Sequence, residues 1–236
     1  QYEVRGRFGT PATISSGRGR HVLFIEASIP KFLTGQNVVG TEKLERGAVE
    51  LIDEVLSRAA IEATPEERRR FRSGDFELVR VDYANHLWTG SADRADAFMH
   101  ALRRRTAAKT WQFSQYWKES LYWGMHSKRW SLKAYRKDLE LATRRGDMSS
   151  IVRGRKALLE KATGLVRFEM TLRAPELKRL KLNRPDAWSA AVARQMLDER
   201  VSAVLPVEGQ VINLEGMNDL KMPTRLRLEL FLRGQA

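Results

Sequence analysis

Residues 119–137 read ESLYWGMHSKRWSLKAYRK, two short apolar runs on either side of a basic turn. This pattern predicts a β-hairpin. Alternate side chains of a strand point to opposite faces of its sheet, so the second run divides into an apolar face and a polar face. The polar face carries Ser131, Lys133, Tyr135 and Lys137. A tyrosine therefore lies between two lysines on one face of the predicted hairpin.

Two stretches far away in the sequence divide in the same way. Residues 76–84 (FELVRVDYA) and residues 165–173 (LVRFEMTLR) alternate apolar side chains with charged ones. Their charged faces carry Arg80, Asp82, Arg167 and Glu169. If the three strands share one sheet, its polar face gathers Tyr135 with two carboxylates and several cations. Such a surface suits the transfer of a phosphodiester.

Composition limits what this surface is for. With 236 residues, 42% of them hydrophobic, the chain can bury a core and fold as one large domain or as a domain with a helical appendix. Lys and Arg number 42 against 29 Asp and Glu, a net charge of +13 that favours an anionic polymer as partner. Ribosomal, membrane-surface and DNA-acting proteins share this property.

The absence of cysteine from the sequence excludes disulfides and thiolate metal sites, and it favours a reducing cytoplasm. No apolar run approaches the roughly 18 residues that a membrane helix needs, and no signal peptide is visible. We therefore predict no membrane partner. Because the sequence begins at Gln1 rather than at methionine, a fragment or a processed product is one interpretation.

Hydrophobic periodicity and turn residues predict the remaining elements. Strands are predicted at residues 2–8 and 20–28, a turn region at 9–19 and a loop at 31–41. Helices are predicted at 45–60, 64–73, 91–105, 138–145, 149–163, 175–180 and 186–205. Hairpin-like neighbours without regular βαβ units favour an α+β fold, a mainly antiparallel sheet covered by helices. We place this domain at residues 1–182 and a helical C-terminal extension, separate or part of the same domain, at 183–236.

Four motifs resemble the gene II replication initiators of filamentous phages. They are LTGQNVVGT at 33–41, RVD at 80–82, LYWGMHSKRWSLKAYRKDLE at 121–140 and GLVRFEMTLR at 164–173. The resemblance runs in the family's order over most of residues 20–182. These initiators nick one strand at the double-stranded origin and start rolling-circle replication. They are similar to plasmid rolling-circle initiators, whose nicking domains are built on an antiparallel sheet. The resemblance therefore implies a nicking domain and a metal-dependent, tyrosine-type DNA strand transferase.

The resemblance places the nucleophilic tyrosine at Tyr135. A free phenol has a pKa near 10, and Lys133 and Lys137 on the same face are expected to favour the phenolate. Attack on phosphorus gives a 5′-phosphotyrosine and a free 3′-OH, which conserves the bond energy for rejoining. Two alternatives for the nucleophile are Tyr83, beside the acidic strand position, and Tyr122 on the neighbouring strand. A tyrosine that only packs on the sheet is the third interpretation.

The predicted metal ligands are Asp82 and Glu169, with Glu140 as a third through the ending of the YRKDLE motif. Carboxylates gathered on one face repel one another unless a cation neutralises them, and hard oxygen ligands suit Mg²⁺ or Mn²⁺. A bound ion would polarise the scissile phosphate. The alternative is that these carboxylates pair with Arg80 and Arg167, two residues away on the same faces.

Histidine provides no alternative metal site in this sequence. The best-known rolling-circle enzymes hold their metal with a His-hydrophobic-His pair, which is absent here. The four histidines are scattered, with no two at ligand spacing: His21, His86, His100 and His126. A zinc or nickel site built on histidine is therefore not expected.

The predicted DNA contacts surround the nucleophile strand. The basic turn before it suits phosphate binding; the contacts predicted there and on the strands are Ser127, Lys128, Arg129, Arg80, Lys137 and Arg167. The expected partner is a single-stranded or supercoiled origin in the cytoplasm of a host cell, with a host helicase as a further partner. The alternative function is a non-catalytic module that binds origin DNA or structured RNA.

Overall fold

The computed structural model describes residues 1–17, 22–40, 43–106, 113–116, 120–143 and 152–204. The described residues form two compact units. One unit is drawn from Gln1–Leu78, Arg144–Leu158 and Lys181–Ala190, and the other from Val79–Thr143, Leu159–Leu180 and Ala191 onward. The predicted polar face lies entirely in the second unit.

The first unit contains a three-stranded antiparallel sheet and helices packed on it. Its elements are β1 (Tyr2–Arg5), β2 (Pro11–Ser16), β3 (Leu23–Glu26), α1 (Ile29–Thr34), α2 (Leu44–Arg58) and α3 (Pro65–Arg72), with strand order β1-β2-β3. Its core brings together apolar residues of the sheet and the first two helices, namely Val4, Ala12, Ile14, Phe32, Leu51 and Val55. Helix α3 begins as its sequence predicts, with a reciprocal capping box between Thr64 and Glu67.

Two predictions for this unit are wrong in part. The turn region at 9–19 contains strand β2, because Ala12 and Ile14 alternate with polar residues and are buried between the two outer strands. The first part of the predicted loop at 31–41 is helical, because helix α1 runs from Ile29 to Thr34. The helix ends at Gly35, which has a left-handed φ of 75°.

The second unit is built on a five-stranded antiparallel sheet with strand order β4-β8-β7-β6-β5. From residue 80 onward the elements are β4 (Arg80–Trp88), α4 (Ala92–Thr106), β5 (Phe113–Tyr116), β6 (Ser120–Trp123), β7 (Trp130–Arg136), α5 (Lys137–Thr143), α6 (Arg155–Ala162), β8 (Leu165–Arg173), α7 (Ala174–Arg179), a 3-10 turn (Pro185–Ala187) and α8 (Ala190–Val204). Of these, the 3-10 turn belongs to the first unit. Antiparallel sheets and accompanying helices confirm the predicted α+β class. The rest of the predicted C-terminal extension lies outside the described residues.

Strand register places the three predicted strands side by side, with β8 between β4 and β7. Directly opposite residues of antiparallel strands share a face. Three rows of side chains therefore cross the polar face: Asp82, Thr171 and Ser131; Ala84, Glu169 and Lys133; His86, Arg167 and Tyr135. The other face is the core, where the aliphatic and aromatic residues of these strands are buried and Phe168 meets Phe98 of α4 edge to face.

Strand β4 begins and ends later than the predicted strand at 76–84. The residues before it bond elsewhere, since the amide of Leu78 donates to the carbonyl of Asn183. The strand continues to Trp88 because β8 is nine residues long and pairs with it over its full length. This extension brings His86 onto the polar face.

Gly164, just before β8, is held in a conformation that a larger residue does not fit. Its φ is +76°, and an added Cβ would lie 3.0 Å from backbone atoms of Ser91. Gly90 has a φ of +95°, but an added Cβ there would meet only the flexible end of the Arg94 side chain. We expect Gly164→Ala to lower the free energy of unfolding by about 2 kcal/mol or more and Gly90→Ala by about 1 kcal/mol. Urea denaturation measures both, and equal losses would contradict the steric argument.

Candidate functional site

The polar face of the larger sheet carries a hydrogen-bonded network of four side chains, the Tyr135 network: Tyr135, Glu169, Arg167 and His86. The Tyr135 hydroxyl donates to Glu169 Oε2 at 3.2 Å, and Arg167 Nε donates to the same oxygen at 3.1 Å. Arg167 Nη1 lies 3.3 Å from His86 Nε2. Adjacent strands β7, β8 and β4 supply these side chains, so the sheet itself fixes their order.

Lys133 covers the edge of this network. It lies directly opposite Glu169 on one side and opposite Tyr122 on the other. Its ammonium is 4.1 Å from the ring centroid of Tyr135 and 5.5 Å from that of Tyr122, both within cation–π range. The lysine thus contacts the predicted nucleophile through the ring face.

The structure does not support the predicted ionisation of Tyr135 to a phenolate. Tyr135 is buried, with 4% of its surface exposed. Burial raises the pKa of its phenol far above the ordinary value, and the negative charge of Glu169 raises it further. The hydroxyl is therefore protonated at neutral pH and donates its hydrogen to Glu169. Any chemistry at this oxygen needs a proton acceptor beside it.

Glu169 is suited to that role. Burial alone would raise the pKa of its carboxyl, but the charges of Arg167 and Lys133 bring the pKa below the ordinary value. The carboxylate is thus ionised while its oxygen accepts the hydrogen bond from Tyr135. An ionised carboxylate in contact with a neutral phenol is the arrangement of a general base and its substrate group.

The sequence places Lys137 on the polar face of the strand, but in the structure both Lys137 and Glu140 belong to helix α5. Lys137 opens helix α5, and its ammonium forms an ion pair with Glu140 one turn further on. The lysine side chain is fully buried and the glutamate is 12% exposed. This buried ammonium does not suit the predicted DNA contact. The charges of the pair still act on the network, since Glu140 raises the pKa of Tyr135 and Lys137 lowers that of His86.

Each predicted metal ligand has a cationic partner. Asp82 accepts two hydrogen bonds from Arg80, at 3.1 and 2.9 Å. Glu169 forms an ion pair with Arg167, and Glu140 forms one with Lys137. Within the described ranges no three or more histidine, aspartate or glutamate side chains are grouped so that they could hold a metal ion. The donor set does not fit a ready-made metal centre, and the structure shows the alternative arrangement, in which arginines pair with Asp82 and Glu169.

His86 is the residue of this network that sequence reasoning missed. The sequence predicts a strand that ends at Ala84, so its alternation places Asp82 on the polar face but does not reach His86, whereas the strand continues to Trp88. Burial lowers the pKa of the imidazole to about 4, with the charge of Arg167 adding to the effect. The ring is therefore neutral at physiological pH.

The shifted pKa of His86 makes stability depend on pH. In the unfolded chain His86 takes up a proton as the pH falls below its ordinary pKa of 6.5. In the folded protein the same residue takes up a proton only near pH 4, so the free energy of unfolding decreases as the pH falls from 6.5 to 4. We expect the free energy of unfolding to drop by about 1.5 kcal/mol more between pH 6.5 and 5 in wild type than in His86→Gln. Denaturant titrations at each pH test this. An equal drop in wild type and in His86→Gln would contradict this linkage.

The two rival tyrosines occupy different faces. Tyr83 lies opposite Met170 on the core face, whereas Tyr122 shares the polar face with Tyr135. Neither of them is part of the Tyr135 network. Tyr122 is therefore the stronger rival, because it lies on the face that the charged residues occupy.

The basic turn before β7 exposes Lys128 and Arg129. Ser127 Oγ accepts hydrogen bonds from the amides of Arg129 and Trp130, at 3.2 and 3.4 Å, and so shapes the turn. Two exposed cations held on a structured turn suit contacts with phosphates, and their binding to DNA remains a prediction. None of the helices in the described part of the chain combines the length and apolar character needed to span a bilayer.

Comparison with known proteins gives two matches. The family model described as the N-terminal part of the replication-associated protein of the gene II type matches residues 11–191. The replication-associated gene II protein of Enterobacteria phage I2-2 is 27% identical over 225 residues, which cover 89% of this chain and 64% of that relative. The chain thus spans less than two thirds of the relative's length. No solved structure matches it significantly.

Both matches confirm the resemblance that the four motifs carry. The matched family residues include the whole of the sheet that bears the Tyr135 network. Because the family model covers well over half of the sequence, the chain belongs to the family of the gene II-type replication-associated proteins of phages.

Proposed function

We propose that the protein starts rolling-circle replication by nicking one DNA strand, with Tyr135 as the nucleophile. The observation that carries the proposal is the hydrogen bond from the Tyr135 hydroxyl to Glu169, a buried phenol beside an ionised carboxylate. Membership of the gene II-type family supplies the expected substrate, a DNA origin. The network supplies a nucleophile and its base.

The proposed step exchanges one bond and moves two protons, one from the phenol to Glu169 and one from bulk water to the leaving 3′ oxygen. Glu169 accepts the phenolic proton as the Tyr135 oxygen attacks phosphorus. The bond from phosphorus to the 3′ oxygen breaks, and that oxygen takes a proton from water. The products are a 5′-phosphotyrosine and a free 3′-OH. In the reverse direction the 3′-OH attacks phosphorus and gives its proton back to bulk water, and Tyr135 recovers its proton from Glu169 as the phosphotyrosine bond breaks.

Positive charge surrounds the oxygen that reacts. Arg167 contacts the same carboxylate oxygen as Tyr135, and Lys133 lies over the tyrosine ring. Cations that are fixed beside the reacting oxygen stabilise the negative charge that develops on a phosphate during the transfer. They also hold Glu169 in its ionised form, which is the form that accepts a proton.

Burial of Tyr135 defines the direction of approach. The phenol is almost fully covered, but the Glu169 side chain is 25% exposed and that of Arg167 is 13% exposed. The scissile phosphate approaches from the side of Glu169. This placement keeps water away from the phosphotyrosine bond, which suits an intermediate that must last until rejoining.

A covalent adduct tests the proposal. Purified protein is incubated with single-stranded and supercoiled DNA that carries a candidate origin, and the products are separated on a denaturing gel. We expect a protein band shifted by attached DNA. Origin binding without any adduct, over a panel of phage origins, would contradict the proposed chemistry.

The metal requirement is a separate prediction, which rests on the family resemblance and not on the geometry of the paired carboxylates. When bound, Mg²⁺ or Mn²⁺ would polarise the phosphate as a Lewis acid. We expect adduct formation with either ion and its loss in EDTA, measured on the same gel. An adduct that forms equally well in EDTA would show that Glu169, Arg167 and Lys133 suffice.

A second function is favoured by the pairing of all three predicted metal ligands with cations. A non-catalytic module would bind origin DNA or structured RNA through the net charge of +13, with salt-sensitive affinity that EDTA leaves unchanged. The adduct experiment separates the two functions. If nicking is confirmed, we propose that a host helicase unwinds the nicked strand in the host cytoplasm.

A further inference from the structure

A buried carboxylate outside the Tyr135 network gathers three arginines. Glu176, in the first turn of α7, is 2% exposed. Its oxygens accept hydrogen bonds from Arg129 Nε at 2.8 Å, from Arg179 Nη2 and Nε at 2.7 and 3.1 Å, and from Arg200 Nη2 at 2.7 Å. We call Arg129, Arg179 and Arg200 the arginine cluster.

The arginine cluster contains more charge than Glu176 needs. One arginine would neutralise the carboxylate, whereas three contact it. The negative charge of Glu199 also acts on Arg179, and positive charge still remains in excess. Hydrogen bonds from Arg179, and then from Arg129, lower the pKa of Glu176, so the carboxylate stays ionised. Bringing three guanidinium groups together is unfavourable unless further negative charge is present when the protein works.

The members of the arginine cluster differ in exposure. Arg200 is 12% exposed and stacks at 5.1 Å on the ring of Trp130, which makes it the structural member. Arg129 and Arg179 are 54% and 52% exposed. Arg129 engages Glu176 through Nε, and in the ranges that the structure describes no acceptor bonds its two terminal nitrogens. Those nitrogens form a fork that fits two oxygens of a phosphate.

The arginine cluster is fixed to the sheet that bears the Tyr135 network. The Arg129 carbonyl accepts a hydrogen bond from the amide of Arg173 at 2.9 Å, at the end where β8 finishes and α7 begins. Arg129 is the residue before β7 and precedes Tyr135 by six residues, a distance of about 20 Å along an extended chain. A nucleic acid strand that follows β7 would meet both places, several nucleotides apart.

We propose that Glu176 is a positioning residue that holds Arg129 and Arg179 as a clamp for backbone phosphates of the DNA, several nucleotides from the strand-transfer site. The inference rests on the proposed DNA substrate and adds a second contact to it. The carboxylate contacts no phosphate. It fixes two long side chains in advance, and so reduces the entropy that they lose on binding.

The test measures binding of the full chain to a labelled single-stranded oligonucleotide by fluorescence anisotropy over a series of salt concentrations. Each lost phosphate contact lowers the slope of log affinity against log salt by about 0.7 for a single strand. We expect this decrease in Arg129→Gln and in Arg179→Gln, and about 1.4 in the double variant. The matched control is Arg69→Gln, since Arg69 is 77% exposed and also pairs with a glutamate three residues away. Its slope should equal that of wild type.

Glu176→Gln distinguishes a positioned clamp from general electrostatic attraction. The substitution raises the net charge by one, so attraction by total charge alone predicts tighter binding. Loss of the positioning carboxylate predicts weaker binding and a reduced slope, although no cation is removed. Circular dichroism establishes whether this buried variant folds, and the exposed Arg129 and Arg179 variants decide the question independently.

Wild-type slopes in both arginine variants, or decreases equal to that of Arg69→Gln, would overturn the clamp. The adduct experiment distinguishes a failure of the clamp from a failure of the proposed nicking function. If wild type forms the adduct while these slopes are unchanged, only the clamp is wrong. If the slopes fall but no adduct forms, the clamp stands and the nicking chemistry is wrong. If wild type does not bind DNA, both are wrong.

Discussion

Replacing Tyr135 by phenylalanine is expected to abolish nicking, with the rate falling about a thousand-fold or more, while binding to DNA persists. The substitution removes the one oxygen that the proposed reaction joins to phosphorus. Conversion of supercoiled origin DNA to the open-circular form measures the rate, and a mobility shift in the presence of EDTA measures binding.

This substitution is suited to the test because it leaves the surrounding structure intact. Phenylalanine keeps the ring that packs under Lys133, and Glu169 keeps its ion pair with Arg167. The matched control is Tyr122→Phe, at a tyrosine on the same face and also within reach of Lys133. We expect it to nick at close to the wild-type rate. Full activity in Tyr135→Phe together with loss in Tyr122→Phe would transfer the role to Tyr122.

Replacing Glu169 by glutamine is expected to slow nicking by about 10²–10⁴-fold, the usual contribution of a positioned base. The amide keeps the shape of the side chain, but it does not take up the phenolic proton. Because the pKa of Glu169 lies below its ordinary value, wild type should retain this function down to acidic pH. Single-turnover nicking with excess protein isolates the chemical step from product release.

Asp82→Asn is the control for Glu169→Gln. Asp82 is a second carboxylate on the same face, paired with Arg80 and 39% exposed, but it does not contact Tyr135. If Glu169 acts as a base, Asp82→Asn should have a small effect. Equal and large losses in both variants, relieved by raising the Mn²⁺ concentration, would instead indicate that the two carboxylates hold a metal ion.

Alternation of side chains predicts four of the five strands of the larger sheet, and it does not predict β5. The three strands with charged faces are neighbours because each offers an apolar face that must be buried, and β8 offers the most apolar of them. Strand β2 was missed because Gly9 and Pro11 signal a turn; its pairing on both sides outweighs that local signal. The turn residues favour a turn in this segment, but hydrogen bonding to β1 and β3 makes it a strand.

The chemistry of the site was harder to predict than its position. That Tyr135 and Glu169 share a face follows from their spacing, but the raised pKa of the phenol follows from packing that sequence does not show. The sequence predicts Lys137 on the strand face, yet helix α5 begins at that residue and the ammonium is buried against Glu140. Burial and partner choice depend on neighbours from distant parts of the chain.

The most direct test of the account is to find the residue that carries the DNA. The covalent adduct is digested with nuclease and trypsin, and mass spectrometry identifies the peptide that retains a nucleotide. We predict the modification on the peptide of residues 134–136, which contains Tyr135. A nucleotide on residues 119–128, which contain Tyr122, or on residues 81–94, which contain Tyr83, would contradict the account.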